Sequence, residues 1–101
     1  MLVSILYEEL ERGFDVIHRM LKQGRSVASH REVSRVRSIL VTLEASLDLN
    51  VGGSLPETLA SIYRAMRREL DMAARLGEAE KLEQLTQGVE SLSSAWAGIR
   101  A

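Results

Sequence analysis

The 101-residue sequence contains no cysteine, a single proline and few aromatic residues. The absence of cysteine excludes disulfides and metal sites with thiolate ligands. No apolar run approaches the roughly 20 residues that a membrane-spanning helix needs. The first seven residues are followed by Glu8 and Glu9 instead of a signal-peptide cleavage site. We therefore expect a soluble, cytoplasmic protein without direct membrane insertion.

Charges of the two signs are nearly balanced, and the formal net charge is −1. Such a balance gives no overall attraction to nucleic acid. Arginines do cluster at residues 25–37 and 64–68, but no aromatic side chains are interleaved with them as single-strand binding would favour. We expect no nucleic-acid partner, and we expect these clusters to pair with the acidic residues of the last quarter of the chain, Glu78, Glu80, Glu83 and Glu90.

Hydrophobic residues make up 46% of the chain and recur at spacings of three and four, which is the pattern of amphipathic helices. This periodicity predicts helices over about residues 2–23, 30–49, 55–76 and 79–99. Helices of this length with short connections pack compactly only as antiparallel neighbours. The predicted fold is an all-α, antiparallel up-down-up-down four-helix bundle, with residues 1–101 as a single domain.

The stretch between the second and third predicted helices, residues 47–59, carries the strongest turn signals. Gly52 and Gly53 can adopt positive φ at little steric cost. Ser54 and Glu57 match a capping box, and Pro56 suits a first helical turn. The pattern predicts that one helix ends here and the next begins at once.

The remaining helix boundaries have similar signals. Gly24 and Gly77 are predicted to end the first and third helices. Ser29 and Glu32 repeat the capping-box spacing and predict the start of the second helix.

Residues capable of catalysis or metal binding are scarce. The only histidines are His18 and His30, and Asp15 with His18 forms one acid–histidine pair where a di-iron bundle needs two. No motif joins a serine to a histidine and an acid. Gly52-Gly53 lacks the lysine of a phosphate-binding loop. We expect no metal, no cofactor and no enzymatic activity.

One enzyme hypothesis stays open as an alternative. Inward-facing arginines could bind a dianionic substrate through paired hydrogen bonds. Most of the candidates fall beside acids on the outward faces of the predicted helices. They are Arg12, Arg35, Arg37, Arg64, Arg67, Arg68 and Arg75.

The predicted helices carry more apolar surface than one bundle seam requires. Ile5 and Val16 broaden the apolar face of the first helix, and Ile39 and Val41 flank that of the second. This surface indicates either a homodimer or a groove for an apolar peptide helix. The pattern alone favours neither.

Three segments, residues 2–8, 46–59 and 85–96, resemble the FliS family of flagellar secretion chaperones. Residues 46–59 (SLDLNVGGSLPETL), followed by Ile62, Tyr63, Met66 and Leu70, are similar to its "SL(D/N)…GG" turn and the helix after it. Residues 2–8 (LVSILYE) are similar to its opening "LL..LYD", and residues 85–96 to its closing "L…L...W" helix. The resemblance covers nearly the whole chain.

The resemblance implies a four-helix chaperone without a cofactor. It would bind the disordered C-terminal segment of flagellin in the cytoplasm, prevent premature polymerisation and present the subunit to the flagellar export gate. The segment would fold as it covers the spare apolar surface. We predict client contacts at Ile39, Val41, Leu49, Val51, Tyr63 and Met66.

The sequence also departs from the family pattern. Family members usually carry a tyrosine-containing segment before the opening helix, which takes part in capping the groove and in gate contact, whereas Met1 is almost at that helix here. Glu8-Glu9 replaces the usual "DG", and residues 25–37 are unusually basic. The first departure implies either that capping and gate contact differ in this protein or that the preceding segment has been trimmed. The other two are typical of a divergent member, which can have a different client.

Overall fold

The computed structural model describes residues 2–47 and 54–100, with side chains over 3–47 and 54–95. In this part of the chain lie α1 (Leu2–Lys22), α2 (Arg31–Ala45), α3 (Leu55–Leu76) and α4 (Ala79–Arg100), and no strand. The all-α prediction is confirmed, and the bounds of α1, α3 and α4 agree with the sequence pattern to within one residue. None of these helices is long and apolar enough to cross a membrane.

The helices form a closed ring in which each packs against its neighbours in the chain and α4 returns to α1. Glu44, at the end of α2, pairs with Arg64 in the first half of α3, whereas Arg37, earlier in α2, pairs with Asp71 in the second half of α3. The contacts thus run in opposite order along the two helices, which makes them antiparallel. The same reversed order relates α3 to α4, as expected for an up-down-up-down bundle.

The core is built from the apolar faces that the periodicity predicted. Among the described side chains, no charged residue is buried, and every buried nitrogen or oxygen atom has a partner. The largest fully buried side chains are Tyr7, Leu10, Phe14, Ile17, Val27, Val33, Val36, Leu40, Leu43, Tyr63, Leu70 and Leu82. Val27 extends the core into the α1–α2 connection.

Gly13 allows α1 and α2 to approach closely. A Cβ atom added at Gly13 would lie 2.3 Å from Cγ2 of Val36, which is far inside van der Waals contact. Gly88 on α4 faces α3 less tightly, because a Cβ there would lie 3.2 Å from the terminal Cε of Met66. A side chain at position 13 would therefore clash with α2, whereas one at position 88 would meet only the movable end of Met66.

The predicted glycine stops are confirmed. Gly24 and Gly77 have φ values of 76° and 74°, in the left-handed region that glycine adopts without strain. The Gly77 N–H donates a hydrogen bond to the Ala73 carbonyl at 2.8 Å. This closes the last turn of α3.

Neither predicted capping box forms. The helix α2 begins at Arg31, so His30 occupies the N-cap in place of Ser29, and its Nδ1 accepts the Glu32 N–H at 3.0 Å. Ser54 does precede α3, but its backbone is already helical (φ −96°, ψ −7°) and its side chain makes no capping bond. Capping by a side chain normally requires an extended backbone at that position.

The C-terminus of α2 also differs from the prediction, since the helix ends at Ala45 rather than near residue 49. The Ser46 hydroxyl donates to the Leu43 carbonyl at 2.8 Å, and its N–H donates to the Thr42 carbonyl. The N–H bond is still an ordinary helical bond, whereas a hydroxyl bond from serine to a nearby carbonyl competes with continuation of the helix. Residues 48–53, with the predicted Gly52-Gly53 turn, lie outside the described residues.

The predicted pairing of the arginine clusters with acids of α4 is wrong. Among the described side chains, the arginine partners are Glu9, Asp15, Glu32, Glu44 and Asp71, all on α1, α2 or α3. The helix α4 instead pairs Lys81 with Glu69 of α3 at 3.1 Å. The reason is geometric: Glu83 and Glu90 line a hollow between α4 and α1. The paired arginines of the two clusters lie on α2 and α3, beside acids of α1, α2 and α3.

Candidate functional site

A groove lies between α2 and α3, close to the end of the bundle where the 48–53 connection joins them. We call it the α2–α3 groove. Its volume is about 350 Å³, and it is lined by Val41, Glu44, Ala45, Ala60, Arg64 and Arg67. The small side chains of Ala45 and Ala60 leave the space between the helices open. Val41 is 46% exposed and provides an apolar contact surface.

An ion-pair network forms the polar side of this groove. The Glu44 carboxylate accepts a hydrogen bond from Arg64 through Oε2 at 2.9 Å and one from Arg67 through Oε1 at 2.7 Å. One carboxylate thus serves two guanidinium groups. The groove is apolar on one side and carries an excess positive charge on the other.

The six predicted contact residues fall into different environments. Val41 lines the α2–α3 groove, whereas Ile39, Tyr63 and Met66 are buried in the core with 8%, 1% and 7% exposure. Leu49 and Val51 lie outside the described residues. Client contact by the six remains a prediction, and in this conformation Val41 is the described member with an open surface.

Sequence reasoning did not single out Glu44, Ala45 and Ala60 as groove residues. It noted Arg64 and Arg67 as members of an arginine cluster and as candidates for binding a dianion, with most of those candidates on outward faces; the structure places both at least partly exposed. The sequence feature that could have indicated the groove is the small size of the two alanines, which lie on helices joined by a predicted turn. Small residues facing each other across neighbouring helices leave a furrow when the flanking side chains are long.

Beneath this end of the bundle, Tyr7 of α1 and Tyr63 of α3 join two helices that are not neighbours in the ring. Their hydroxyl oxygens lie 2.6 Å apart, and both side chains are buried. Burial raises the pKa of Tyr63 well above its usual range, and the hydrogen bond with Tyr7 adds to the increase. The Tyr63 hydroxyl therefore stays protonated and available for this bond.

The opposite side of the bundle, between α1 and α4, is acidic. A hollow of about 290 Å³ is lined by Asp15, His18, Glu83, Thr86, Gln87 and Glu90. Partial burial, together with the charges of Glu90 and Glu8, raises the pKa of the Glu11 carboxyl on the same side. In the part of the chain that the structure describes, no three His, Asp or Glu side chains are placed to hold a metal ion.

The arginines do not converge inside the bundle. Every described arginine side chain is at least partly exposed. Arg67 is the most covered of those in ion pairs, at 26% exposure. The inward cluster that the dianion hypothesis requires is therefore not found among these residues.

Comparison with known proteins adds the decisive observation. The family model described as "Flagellar protein FliS" matches residues 1–101. The chain belongs to the FliS family. A relative, the flagellar secretion chaperone FliS of Salmonella typhimurium (strain LT2), is 26% identical over 99 residues, which cover 97% of this chain and 73% of the relative.

Family membership confirms the resemblance seen in the sequence. Two segments that carried this resemblance to FliS, residues 2–8 and the first half of α3, contribute Tyr7 and Tyr63, whose hydroxyls meet in the core. The motif residues Gly52 and Gly53 lie outside the described residues. In this FliS family member, the matched segments therefore include a buried structural contact.

Proposed function

We propose that this protein is a flagellar secretion chaperone that binds the disordered C-terminal segment of flagellin before export. Binding would prevent premature polymerisation and keep the subunit competent for the export gate, which we propose as a second partner. The observation that carries the proposal is the FliS family match over residues 1–101. The relative from Salmonella typhimurium is itself named a flagellar secretion chaperone.

The α2–α3 groove supports this proposal physically. A segment that polymerises through apolar helices needs an apolar surface to cover it. Val41 and Ala45 offer an exposed apolar surface beside a charged edge, and the buried Ala60 also lines the groove. Amphipathic helices bind grooves of this type through a few apolar side chains. Binding requires no bond-making step, and family membership favours a binding protein over an enzyme.

Calorimetric titration with a peptide from the C-terminus of the flagellin encoded in the same genome tests the proposal. We expect binding with a negative heat-capacity change, because apolar surface is buried and the peptide folds. Absence of detectable binding at high micromolar peptide, at every temperature used to measure the heat-capacity change, would refute the assignment.

A pair of matched variants locates the surface. Val41→Glu places a charge in the α2–α3 groove, and Met72→Glu places the same charge at a similarly exposed position (41%) further along α3. Val41→Glu forfeits about half the burial energy of a valine and desolvates a carboxylate, so we expect affinity to fall at least about tenfold. Met72→Glu should leave it unchanged, and equal effects would place the client elsewhere.

A homodimer that covers the same groove is the alternative. Sedimentation of the empty protein over a range of concentrations would reveal it. A dimer that Val41→Glu abolishes, together with no peptide binding, would favour this alternative.

A further inference from the structure

We propose that the α2–α3 groove recognises a side-chain carboxylate of its client next to an apolar side chain, with Arg64 and Arg67 as the residues that select it. The proposal rests on the client function given above and adds a chemical rule for what the groove accepts. The occupant is an amphipathic segment of flagellin whose apolar residue contacts Val41 and whose Asp or Glu contacts the two arginines.

The first argument is the charge imbalance of the network. Glu44 contributes one negative charge, and its two oxygens are each engaged by a different guanidinium, at 2.9 and 2.7 Å. Arg64 and Arg67 together carry two positive charges, so one positive charge remains at the edge of the groove. A guanidinium has five N–H donors, and each of these two spends one on Glu44. Their remaining N–H groups can donate to a second carboxylate in a forked geometry.

The second argument is accessibility. The Arg64 side chain is 48% exposed and that of Arg67 is 26% exposed, so both reach the surface; Glu44, at 23%, is covered about as much as Arg67. Glu44 holds the two guanidiniums in place before any client arrives. A carboxylate that approaches from solvent therefore meets prearranged donors, which lowers the entropy cost of binding.

The third argument is the apolar neighbour. The α2–α3 groove, with a volume of about 350 Å³, is lined by Val41, Ala45 and Ala60 as well as by the arginines. A client side chain that enters this groove loses contact with water, and a carboxylate beside it would lie at the charged edge. The groove therefore selects an apolar residue and an acid together, not a long apolar strip.

The fourth argument comes from the opposite side of the bundle. The hollow between α1 and α4 is lined by Asp15, Glu83 and Glu90, and Glu11 lies on the same side in a field of like charges. An acidic segment is repelled there and attracted to α2–α3. The charge distribution thus directs the client to one side of the molecule.

The test compares three versions of the flagellin C-terminal peptide. The first is unmodified, the second has every Asp and Glu replaced by Asn and Gln, and the third is unmodified except for a C-terminal amide. Each is titrated by calorimetry into the native protein, into the double variant Arg64→Gln/Arg67→Gln, and into the control Arg75→Gln. Arg75 is exposed on the same helix and does not line the groove.

We expect the neutralised peptide to bind the native protein about fivefold more weakly than the unmodified peptide, which is the upper range for a partly exposed ion pair. The double variant should bind both peptides equally. Arg75→Gln should keep the fivefold ratio. Raising the ionic strength should reduce the ratio, because salt screens charges near the surface.

Several outcomes would overturn the proposal in distinguishable ways. Equal binding of the neutralised and unmodified peptides by the native protein would refute carboxylate recognition and leave the chaperone function intact. Loss of affinity only with the amide would assign the arginines to the chain terminus instead of a side chain. Absence of binding by the unmodified peptide would refute the client function as well, and a concentration-dependent dimer would then identify a second copy as the occupant.

Discussion

Substituting alanine for Gly13 provides a sharp test of how α1 and α2 pack. In an exposed helix this change stabilises by about 1 kcal/mol, because alanine is the better helix former. At Gly13 the new Cβ would lie 2.3 Å from Cγ2 of Val36. Normal carbon–carbon contacts are about 3.5–4.0 Å, so α1 and α2 must separate by more than an ångström or Val36 must rotate.

Val36 has little freedom to move. It is 0% exposed, and valine in a helix has one strongly preferred rotamer. The cost should therefore lie near the upper end of the overpacking range, about 3 kcal/mol. After subtracting the propensity gain, we expect Gly13→Ala to destabilise by about 2 kcal/mol. The melting temperature should fall by roughly 8–16 °C in a domain of this size.

Gly88→Ala is the matched control, in the interior of α4. Its Cβ would meet only the terminal methyl group of Met66, at 3.2 Å, and a methionine end can move aside. We expect this variant to equal or exceed the native stability by up to about 1 kcal/mol. Urea unfolding followed by circular dichroism measures the free energy of unfolding of both variants and of the native protein. If Gly13→Ala is as stable as Gly88→Ala, the close α1–α2 approach described above is incorrect.

Two further predictions concern ionisation. Because the pKa of Tyr63 is raised on folding, its stabilising effect is complete below pH 10 and is lost as the pH rises above 10, where the tyrosine of the unfolded chain ionises first. Between pH 9 and 11 the native protein should lose about 1.4 kcal/mol more stability than Tyr63→Phe. The same pH dependence of the free energy of unfolding for both proteins, measured in urea, would contradict this. The pKa of Glu11 is raised by partial burial and by the charges of Glu90 and Glu8. Its protonated form therefore adds to the free energy of unfolding below the ordinary pKa of 4.5, and this stabilisation is lost above it. Glu11→Gln should therefore stabilise the fold at pH 7 by about 0.2–0.5 kcal/mol and have less effect at pH 4, as measured by thermal unfolding; a loss of stability at pH 7 would argue against like-charge repulsion.

Local patterns predicted the helices well because both their periodicity and their stops are encoded within a few residues. Gly77 ends α3 as expected since a left-handed residue after a helix favours glycine in almost any context. The capping box at Ser29 failed because a shift of a single residue in the helix start moves the cap to His30. Such boundaries are the least certain part of any pattern.

Contacts between distant parts of the chain could not be predicted in this way. The partner of Arg64 depends on how far α2 and α3 are rotated about their axes, and a change of one position would exchange Glu44 for another side chain. The bond between Tyr7 and Tyr63 joins residues 56 positions apart. The α2–α3 groove likewise arises where two helices meet, so neither helix alone reveals it.

The buried tyrosine pair also has a consequence for the uniqueness of the fold. Leucine-rich helices can slide past one another with little loss of contact, since one apolar side chain replaces another. A displacement of α1 along α3 by one helical turn, about 5.4 Å, would break the 2.6 Å hydroxyl contact and leave the Tyr63 oxygen in the core without Tyr7. A buried hydroxyl that loses its partner costs about 1–3 kcal/mol. This single bond therefore disfavours axially shifted versions of the bundle that the apolar contacts between the helices would tolerate.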